Sequence, residues 1–340
     1  MRILLASHVF PPSIGGIETV SRLLAEQWNR MGHEVTVATT TASPAPDVSG
    51  YRVIRQPGAA SMFGLVKWAD VVFQNNVSLR TAWPLAFIHR PWFVTTAIWL
   101  KTADRRGGLA VRMKSLALKR AKNIYISRTV AAHVGLPGAI IPNPYDDATF
   151  RPFADIPRDL DLVFVGRLVS DKGVDILLHA LAKLRSRGVK PNATIIGTGS
   201  EETGLRDMTR RLELTEQVVF AGTQRGNDLS RMIARHRIMV VPSRWAEPFG
   251  VVALEGIACG CAVVGSNEGG LPEAIGPCGV TFPNGSADSL ADAIDGLLRD
   301  ARQLAAMREA ATAHLAKHAP DAIARLYLEA FLKARPACRP

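Results

Sequence analysis

The clearest structural signal in the chain is a short apolar run, a glycine-containing loop and an amphipathic segment in residues 161–188, DLVFVGRLVSDKGVDILLHALAKLRSRG. The run from Asp161 to Gly166 has the length and composition of a strand buried on both faces. The segment from Gly173 to Gly188 is long enough for a helix and has apolar residues at helical spacing. Strand, loop and helix in this order predict one βα unit of a parallel sheet.

The same alternation extends in both directions. A segment rich in Pro, Asn and Asp, Ile141 to Phe153, interrupts it and predicts a boundary, with one domain over 1–148 and a second over 149–317. A last helix, Asp321 to Ala334 within 318–336, is expected to dock back on the first domain. The fold class is therefore α/β, with two Rossmann-like parallel-sheet domains. Predicted strands before the boundary are Ile3–Ser7, Val35–Thr39, Tyr51–Arg55, Val71–Gln74, Trp92–Thr96 and Asn123–Ser127. Those after it are Asp161–Gly166, Ala193–Gly197, Val218–Ala221, Ile238–Pro242, Ala262–Gly265 and Gly279–Phe282.

Length and composition agree with this organisation. A chain of 340 residues fits two domains of about 150 residues each. Hydrophobic residues make up 47% and charged residues 21%, which excludes a disordered chain. The net charge is +11, and residues 1–150 hold most of it, with 17 basic and 8 acidic residues. This excess favours an acidic partner: nucleic acid, an anionic membrane or a phosphorylated small molecule.

Cysteine usage and hydropathy indicate a cytoplasmic protein. Cys259, Cys261, Cys278 and Cys338 form no C-x-x-C pair, so they are interpreted as reduced structural thiols. The opening apolar run is too short for a signal peptide. The longest apolar region, 82–100, is interrupted by His89, Arg90 and Pro91, which makes a membrane-spanning helix improbable. Membrane contact, if any, is expected to be peripheral, on the inner face of the plasma membrane.

Two glycine loops follow predicted strands and precede predicted helices. Gly15 and Gly16 follow the first strand, where glycine lets a ligand approach the backbone and the helix offers free amides to an anion. Arg167 and Lys172 lie in the loop of residues 166–173, at the sheet edge where open α/β folds bind ligands, and their charges suit a diphosphate. The alternatives are a plain tight turn at Gly15 and two solvated surface cations.

A third segment, residues 242–256, combines carboxylates with a helix start. Glu247 lies in a loop, and Glu255 lies in the second turn of a helix that begins near Phe249 to Val251. The free amides at Gly250 and Val251 suit an anion, whereas the two carboxylates suit neutral hydroxyls. A nucleotide sugar carries both kinds of group, which indicates this class of ligand.

The pattern E-P-F-G-x-x-x-L-E-G-x-A-x-G from Glu247, with G-G-x-P-E from Gly269, resembles the retaining glycosyltransferases of family 4, which have the GT-B fold. The resemblance covers most of the chain. Further motifs in the family's order are Gly15-Gly16-Ile-Glu18, Pro142-Asn143-Pro144, Gly166-Arg167 to Lys172-Gly173, and Gly197-Thr-Gly199. The GT-B architecture implies two Rossmann-like domains that face each other across a cleft, with acceptor bound by the first and donor by the second.

The resemblance also implies roles for individual residues. Arg167 and Lys172 would neutralise the donor diphosphate as it leaves, Glu255 would accept from the ribose hydroxyls, and Glu247 would contact the donor sugar. The amides near Phe249, Gly250 and Val251 would meet the phosphate or sugar. Gly15 and Gly16 would close on the donor from the first domain, and the turn with Gly197 and Gly199 would contribute to donor binding, with base recognition nearby. The family needs no metal or other cofactor.

One position departs from the family. Many members carry a His after the strand predicted at 92–96, and Ala97 stands there instead. Transfer with retention can proceed by front-face attack beside the departing phosphate, so this loss need not abolish activity. His8 and His89 are alternative first-domain candidates, although a lone His is more often structural. Trp99 is a candidate for stacking on an acceptor sugar, with a buried core position as the alternative.

A basic stretch of residues 101–128 holds nine Lys or Arg residues and a single acid. If it is helical, Arg105, Arg112, Lys119 and Lys122 recur at helical spacing beside an apolar stripe of Leu109, Met113 and Leu116. Such a helix could lie on an anionic leaflet, and the alternative is a solvated helix with an ordinary core face. We therefore expect a lipid-linked, diphosphate-bearing saccharide as acceptor.

The leading hypothesis is a retaining, metal-independent hexosyltransferase that uses a nucleotide diphosphate sugar and a glycan or lipid-linked saccharide. Two alternatives stay open. One is another GT-B enzyme, such as a sucrose-type synthase or a nucleotide-sugar epimerase. The other is a non-catalytic nucleotide-sugar binding protein, which the Ala97 position suggests. Nucleic acid is the least favoured partner, because no motif of a known binding module is present.

Overall fold

The computed structural model describes residues 1–44, 50–99 and 108–334, which form two compact units. Unit 1 comprises residues up to Pro144 together with those from His318 onward, and unit 2 is Tyr145–Lys317. The predicted boundary at 148/149 is therefore four residues late. Tyr145 is already buried in unit 2, next to the Cys259 thiol, and Asp146 acts electrostatically on Glu255 there.

Unit 1 is built on a parallel sheet with strand order β3-β2-β1-β4-β5-β6-β7 within the described residues. The six strands predicted from sequence are confirmed with ends shifted by at most two residues. The seventh, an exposed three-residue edge strand, was not predicted because it has no buried face to leave a hydropathy signal. The strands are β1 (Arg2–Ser7), β2 (Glu34–Thr39), β3 (Arg52–Arg55), β4 (Val71–Asn75), β5 (Trp92–Thr96), β6 (Lys122–Tyr125) and β7 (Gly138–Ile140).

Helices connect these strands, and a helix from the far end of the chain joins them. The helices of unit 1 are α1 (Gly16–Arg30), α2 (Ala59–Trp68), α3 (Leu79–Ala82), α4 (Leu109–Arg120), α5 (Arg128–Val134) and α13 (Pro320–Lys333). A 3-10 turn, Trp83–Ala86, follows α3.

The core of unit 1 explains why α13 belongs to it. Tyr327 and Phe331 of α13 are fully buried against Trp28 of α1 and Phe73 of β4, with ring centroids 5.2–6.2 Å apart. The indole of Trp28 donates to the carbonyl of Ala324 at 3.1 Å, and Tyr327 Oη pairs with Thr95 Oγ1 at 3.0 Å. Removing α13 would expose this aromatic cluster, so the helix completes the core.

Unit 2 contains a second parallel sheet with strand order β10-β9-β8-β11-β12-β13. All six predicted strands are confirmed. The strands are β8 (Leu160–Val165), β9 (Ala193–Ile196), β10 (Val218–Gly222), β11 (His236–Val241), β12 (Ala262–Ser266) and β13 (Gly279–Phe282). The helices are α6 (Val174–Ser186), α7 (Glu202–Arg211), α8 (Gly226–Ala234), α9 (Val251–Ala258), α10 (Leu271–Ile275), α11 (Ala287–Arg299) and α12 (Ala301–Ala316).

The position of β8 at the centre of the second sheet places the predicted charged loops side by side. Strand β8 pairs with β9 on one side and β11 on the other, and β11 pairs with β12. All run in the same direction, so the loops that follow them emerge at one edge. Among the described residues, no helix is both long and apolar enough to cross a membrane.

Candidate active site

The loop between β8 and α6 brings Lys172 to a neighbouring loop. Residues Ser170–Lys172 form one 3-10 turn, and Gly173 then adopts a left-handed conformation with φ 68° that starts α6. A Cβ atom at Gly173 would lie 2.0 Å from the carbonyl oxygen of Pro242, at the end of β11. Only glycine allows both this φ and this approach, so Gly173 sets the close packing of the two loops.

The two loops bring together the Lys172 ammonium and the Glu247 carboxylate. Lys172 Nζ donates to Glu247 Oε1 at 2.5 Å, and Ser243 Oγ donates to the same oxygen at 2.8 Å. The side chains of Lys172 and Glu247 are 26% and 13% exposed, so the pair is partly shielded yet open on one side. Arg167 in the same loop is exposed, with no ion pair or side-chain hydrogen bond to a described residue. The structure thus holds one paired and one unpaired cation here.

Backbone hydrogen bonds fix the loop that carries Glu247. The amides of Arg244 and Trp245 both donate to the carbonyl of Asp171, at 2.9 and 3.1 Å. On the other side, the amide of Gly270 donates to the carbonyl of Glu247 at 2.7 Å. Gly269 is left-handed with φ 71°, and a Cβ there would lie 2.1 Å from the same carbonyl oxygen. The Gly269-Gly270 pair of the sequence motif therefore holds the backbone of Glu247 in place.

Helix α9 presents Glu255 one turn behind its first amides. Gly250 precedes the helix with φ 104°, and a Cβ there would meet the Leu271 side chain at 2.6 Å. Phe249 is buried, so its ring fills the core and only its main chain can face a ligand. The amides of Gly250 and Val251 lie where a helix has no intrahelical acceptor for them. The predicted helix start between residues 249 and 251 is confirmed.

The Glu255 carboxyl group is unusual among the acidic residues. Burial raises its pKa to about 7, with a smaller contribution from the Asp146 carboxylate. Its side chain makes no hydrogen bond or ion pair to any described residue. A partly covered acid with a raised pKa and no partner is a candidate for ligand recognition.

The structure gives the Gly197-Thr-Gly199 turn a packing role. A Cβ at Gly197 would lie 1.9 Å from the carbonyl oxygen of Gly166, and one at Gly199 would lie 2.2 Å from that of Leu168. The Leu168 amide donates to the Thr198 carbonyl at 2.9 Å. These glycines let the turn pack directly on the loop that carries Arg167, and contact with a donor stays a prediction.

In unit 1, the loop between β1 and α1 is more open. Gly16 is exposed, and a Cβ there would meet nothing within 4 Å. A Cβ at Gly15 would meet only the flexible side chain of Glu18, which accepts from Ser13 Oγ at 2.9 Å. His8, which follows β1, pairs with Thr40 Oγ1 at 3.0 Å. The open space beside Gly16 suits close approach of a ligand to the backbone.

Three candidates near β5 have different positions. The Ala97 amide donates to Asn76 Oδ1 at 2.8 Å at the carboxyl end of β5, where the family's His would stand. Trp99 lies edge-on to His133 with ring centroids 5.1 Å apart and is half-buried. His89 precedes β5 and lies at the opposite, amino end of the sheet, so it cannot replace a residue at the carboxyl edge.

The basic stretch is only partly a helix. Arg112 and Lys119 are exposed on α4, whereas Arg105 lies outside the described residues. The prediction that Lys122 continues the helical row is wrong, because α4 ends at Arg120 and Lys122 opens β6. Met113 and Leu116 of the predicted apolar stripe are exposed, and Ala117 and Leu118 pack into the core instead. The helix therefore has one ordinary core face and one uncovered apolar strip.

The described cysteines and His236 lie in the protein interior. Cys259, Cys261 and Cys278 are free and buried, whereas Cys338 lies outside the described residues. Burial lowers the pKa of His236 to about 4, and its ring pairs with the Met232 carbonyl and Thr194 Oγ1. Within the described ranges, no group of three or more His, Cys, Asp or Glu side chains is arranged to hold a metal ion.

The sequence motifs include the charged residues Lys172 and Glu247, but they do not show which residues position them. Ser243 is 1% exposed and lies inside the quoted motif, but nothing in its spacing shows that it reaches Glu247. Gly173 and Gly269 were read as motif members without their contacts. A signal was available in both cases, because glycine after a strand predicts a close approach of backbone.

Comparisons with known proteins assign the family. Residues 147–314, nearly all of unit 2, match the family model of glycosyl transferases group 1. The D-inositol 3-phosphate glycosyltransferase of Mycolicibacterium paratuberculosis is 37% identical over 196 residues, which are 55% of this chain and 44% of that protein. The chain thus matches less than half of that relative's length. The GDP-mannose-dependent alpha-(1-6)-phosphatidylinositol monomannoside mannosyltransferase of Mycolicibacterium smegmatis is 28% identical and covers 90% of this chain and 91% of its own.

Solved structures resemble the whole chain. Sucrose-phosphate synthase from Thermosynechococcus elongatus superposes with a TM-score of 0.81 at 24% identity, covering 98% of this chain and 99% of its own. HepE of Anabaena in complex with UDP and glucose gives a TM-score of 0.79 at 20% identity, covering 98% and 100%. At these identities the likeness concerns the fold. With the family match in unit 2 and this fold over its length, the chain belongs to the glycosyl transferases group 1 and has the GT-B fold.

Proposed function

We propose that this chain is a retaining hexosyltransferase that uses a nucleotide diphosphate sugar as donor and a glycan or lipid-linked saccharide as acceptor. One observation carries the proposal: Lys172 and Glu247 are in contact, while Arg167 and Glu255 have no side-chain partner among the described residues. Two cations and two carboxylates thus lie on loops and a helix that follow strands ending at a single sheet edge, a combination that suits a ligand with two phosphates and several hydroxyls.

Arg167 and Lys172 are assigned to the diphosphate. Charge grows on the diphosphate as the bond to the sugar breaks, so cations fixed beforehand lower the barrier more than cations that must reorient. Arg167 has no partner in the described part of the chain that it would have to give up. Lys172 is held by Glu247 and keeps a partly exposed side, from which it can reach a phosphate without leaving the carboxylate. The amides of Gly250 and Val251 add donors at the same place.

The two carboxylates are assigned to hydroxyl groups. Glu255 would accept from the ribose hydroxyls, and Glu247 would contact the sugar or the positive charge that develops at its anomeric carbon. The acceptor oxygen would attack that carbon on the face from which the diphosphate leaves. Its bond to carbon would form as the carbon–phosphate oxygen bond breaks, and the hydroxyl proton would pass to the departing diphosphate. This sequence keeps the anomeric configuration and needs no base at Ala97.

The acceptor is assigned to unit 1, which holds the excess positive charge. A lipid-linked acceptor is supported by the name of one relative, whose acceptor is phosphatidylinositol monomannoside. The exposed Arg112 and Lys119 and the apolar strip of α4 support a peripheral place on the inner face of the membrane. We further propose that no metal is required, because Arg167, Lys172 and the helix amides can balance the diphosphate charge.

The test is incubation with a panel of UDP-, GDP- and ADP-sugars, with and without saccharide and lipid-linked acceptors and with chelator present throughout. The proposal predicts acceptor-dependent release of the nucleoside diphosphate and a product with the donor's anomeric configuration by NMR. Inverted product would overturn the retaining mechanism, and loss of activity with chelator would overturn metal independence.

A second candidate is a nucleotide-sugar binding protein without activity, which Ala97 favours. Calorimetry separates the two. Tight binding of one donor with no release in the presence of any acceptor would support the binding protein. The high likeness to sucrose-phosphate synthase keeps a sucrose-type synthase within the enzyme alternatives, and fructose 6-phosphate in the acceptor panel tests it.

A further inference from the structure

Unit 1 contains a cavity of about 770 Å³ at the amino end of its sheet. Trp92 and Lys122, the first residues of β5 and β6, lie in its wall. The rest of the wall comes from the second half of α4, from Ala334 just after α13, and from Leu79, Ala82, Trp83 and residues 85–91. Ligands in open α/β folds bind at the carboxyl ends of the strands. This cavity, here called the amino-end groove, is therefore separate from the edge of this sheet where an acceptor is expected.

The lining of the amino-end groove is mainly apolar, and several of its large side chains are uncovered. Phe87 is 72% exposed and Leu116 is 59% exposed, and Trp83 and Met113 are exposed as well. Trp83 also stacks on Phe63 and meets Phe87 edge-on, with ring centroids 6.2 and 6.4 Å apart. Aromatic and aliphatic side chains gathered in one exposed patch are typical of an interaction surface, and of a lipid surface when cations surround them.

Cations do surround them. Arg90, Arg120 and Lys122 line the amino-end groove, and none of the described lining residues is acidic. Arg120 and Lys122 are exposed, and no described carboxylate lies within ion-pair distance of either. The charge of this rim is therefore complementary to an anion and opposed to a second basic surface.

Two donors in the wall lack acceptors. Nε of Arg90 and Nε1 of Trp92 are buried, and neither has a hydrogen-bond partner among the described residues. The other end of Arg90 is tied down, because its Nη2 donates to the Lys67 carbonyl at 2.7 Å. Buried N–H groups without acceptors are rare in folded proteins. These two N–H groups show that polar groups lie beneath the apolar surface of the wall, whereas the exposed Arg120 and Lys122 are the donors that a phosphate in the groove can reach directly.

We propose that the amino-end groove is a docking site for an anionic phospholipid, with an acyl chain along the apolar floor and the phosphate among Arg90, Arg120 and Lys122. A volume of about 770 Å³ falls within the range of about 300–1,000 Å³ typical of ligand pockets. The exposed Phe87 and Leu116 extend the apolar surface beyond the groove, which suits the acyl region of a leaflet. The site deepens the peripheral membrane placement proposed above, on which it rests, and it does not depend on which donor or acceptor is used.

The test is flotation of the full chain with vesicles of phosphatidylcholine alone or of equal parts phosphatidylcholine and phosphatidylglycerol. We expect binding to the anionic vesicles and little to the neutral ones. The variants Phe87→Ser/Leu116→Ser and Arg120→Glu/Lys122→Glu should each weaken binding by at least about tenfold. Two controls in unit 2 should stay within about twofold of the parent chain: Val219→Ser removes an equally exposed apolar side chain, and Lys190→Glu/Arg302→Glu makes the same charge change.

A second measurement locates the lipid. Vesicles with brominated acyl chains should quench the fluorescence of Trp83 and Trp92, and Trp83→Phe should remove part of the quenching. Absence of binding to anionic vesicles would overturn the proposal and leave a protein partner as the occupant. Binding that both double variants retain, or binding without quenching, would overturn it as well. Donor affinity, measured by calorimetry without lipid, should be unchanged in both double variants, so failure here is distinguishable from failure of the proposed reaction.

Discussion

The carboxyl-end loops of the two sheets are held together in different ways. In unit 2 the loops bond to each other through main-chain groups, such as Leu168 to Thr198 and Gly270 to Glu247. In unit 1 the described loops meet largely through side chains, such as Thr40 with His8 and Asn76 with the Ala97 amide. Backbone contacts leave charged side chains in fixed positions, which favours stabilisation of charge that develops during a reaction.

The glycines of the two units show the same contrast. In unit 2 a Cβ at Gly173, Gly197, Gly199 or Gly269 would collide with the backbone of a neighbouring loop. In unit 1 a Cβ at Gly16 would enter open space. In these carboxyl-end loops, glycine thus serves close packing in unit 2 and leaves room beside the backbone at Gly16 of unit 1. Five substitutions test this difference, and they are given in order of decreasing expected effect.

Lys172→Ala should have the largest effect. Without the ammonium, the proposed diphosphate site loses one of its two cations and Glu247 loses its ion-pair partner. We expect turnover to fall about 10²–10³-fold, in the range seen when one charge-stabilising donor is removed. Lys183→Ala is the matched control, because Lys183 also pairs with a carboxylate, that of Asp288, on an exposed face. Steady-state kinetics and melting temperatures measure both; a similar loss in the two variants would contradict the assignment.

Gly173→Ala should destabilise unit 2 by about 3 kcal/mol, combining a left-handed non-glycine residue with a clash against the Pro242 carbonyl. Gly188→Ala has a similar φ of 82° but meets nothing within 4 Å, so it should cost only about 1–2 kcal/mol. Urea unfolding measures the difference. Equal losses would show that conformational strain, and not loop contact, explains the glycine.

Glu255→Gln should change the pH dependence of stability. The folded-state pKa of Glu255 is raised from 4.5 to about 7, so its contribution to stability is fully present below pH 4.5 and is lost as the pH rises through about 7. Glutamine stays neutral and keeps that contribution. The variant should therefore be more stable than the parent at pH 8, by up to about 3 kcal/mol, and similar to it at pH 4. Thermal unfolding across this range measures the effect.

The same variant should bind the donor more weakly at pH 8, where the parent carboxylate is ionised and can accept from hydroxyls. A gain in stability together with a loss in donor affinity would show that Glu255 binds the donor and that its ionised form destabilises the folded protein. Equal stability of the two proteins at every pH would refute the raised pKa.

Ser243→Ala should lower turnover by about tenfold, the effect of losing one hydrogen bond to a charged group. The Michaelis constant for the donor should change little, because Ser243 positions Glu247 without being expected to touch the ligand. Ser170→Ala, an exposed serine in the Lys172 loop, is the control. A change in the Michaelis constant alone would indicate direct contact with the donor instead.

Gly16→Ala should have the smallest effect on the fold. A methyl group there meets open space at the start of a helix, so stability should be unchanged or rise by less than about 1 kcal/mol. If a ligand approaches this backbone, turnover should fall several-fold at the same time. Unchanged turnover would leave Gly16 as an ordinary turn residue. Melting temperature and kinetics on one preparation give both answers.

The sequence was sufficient for most of the fold, because buried parallel strands such as β8 and β12 are written as continuous apolar runs. It also placed Arg167, Lys172, Glu247 and Glu255 after strands whose ends meet at one edge, as the structure has them, while their contact with a donor stays a prediction. It did not predict β7, whose three residues are all exposed, or the end of α4 before Lys122. Hydrophobic periodicity is weak in both places.

The missed parts of the site depend on contacts between distant positions. Ser243 matters because it reaches Glu247, and Gly173 matters because Pro242 lies 69 residues further along the chain and packs against it. No local sequence pattern shows a contact between positions that are so far apart in the chain. The raised pKa of Glu255 likewise arises from the burial of its side chain and from the carboxylate of Asp146, which lies 109 residues earlier in the sequence.

The place of α13 in the core of unit 1 also bears on how the protein is made. Trp28 donates to Ala324, 296 residues later, and its ring packs on Tyr327 and Phe331. During synthesis, Trp28 and Phe73 of unit 1 stay uncovered until unit 2 and then α13 have left the ribosome. Unit 2 is continuous in sequence and can fold first. Slow translation late in the message would thus lengthen the time during which the nascent first sheet can aggregate or recruit a chaperone.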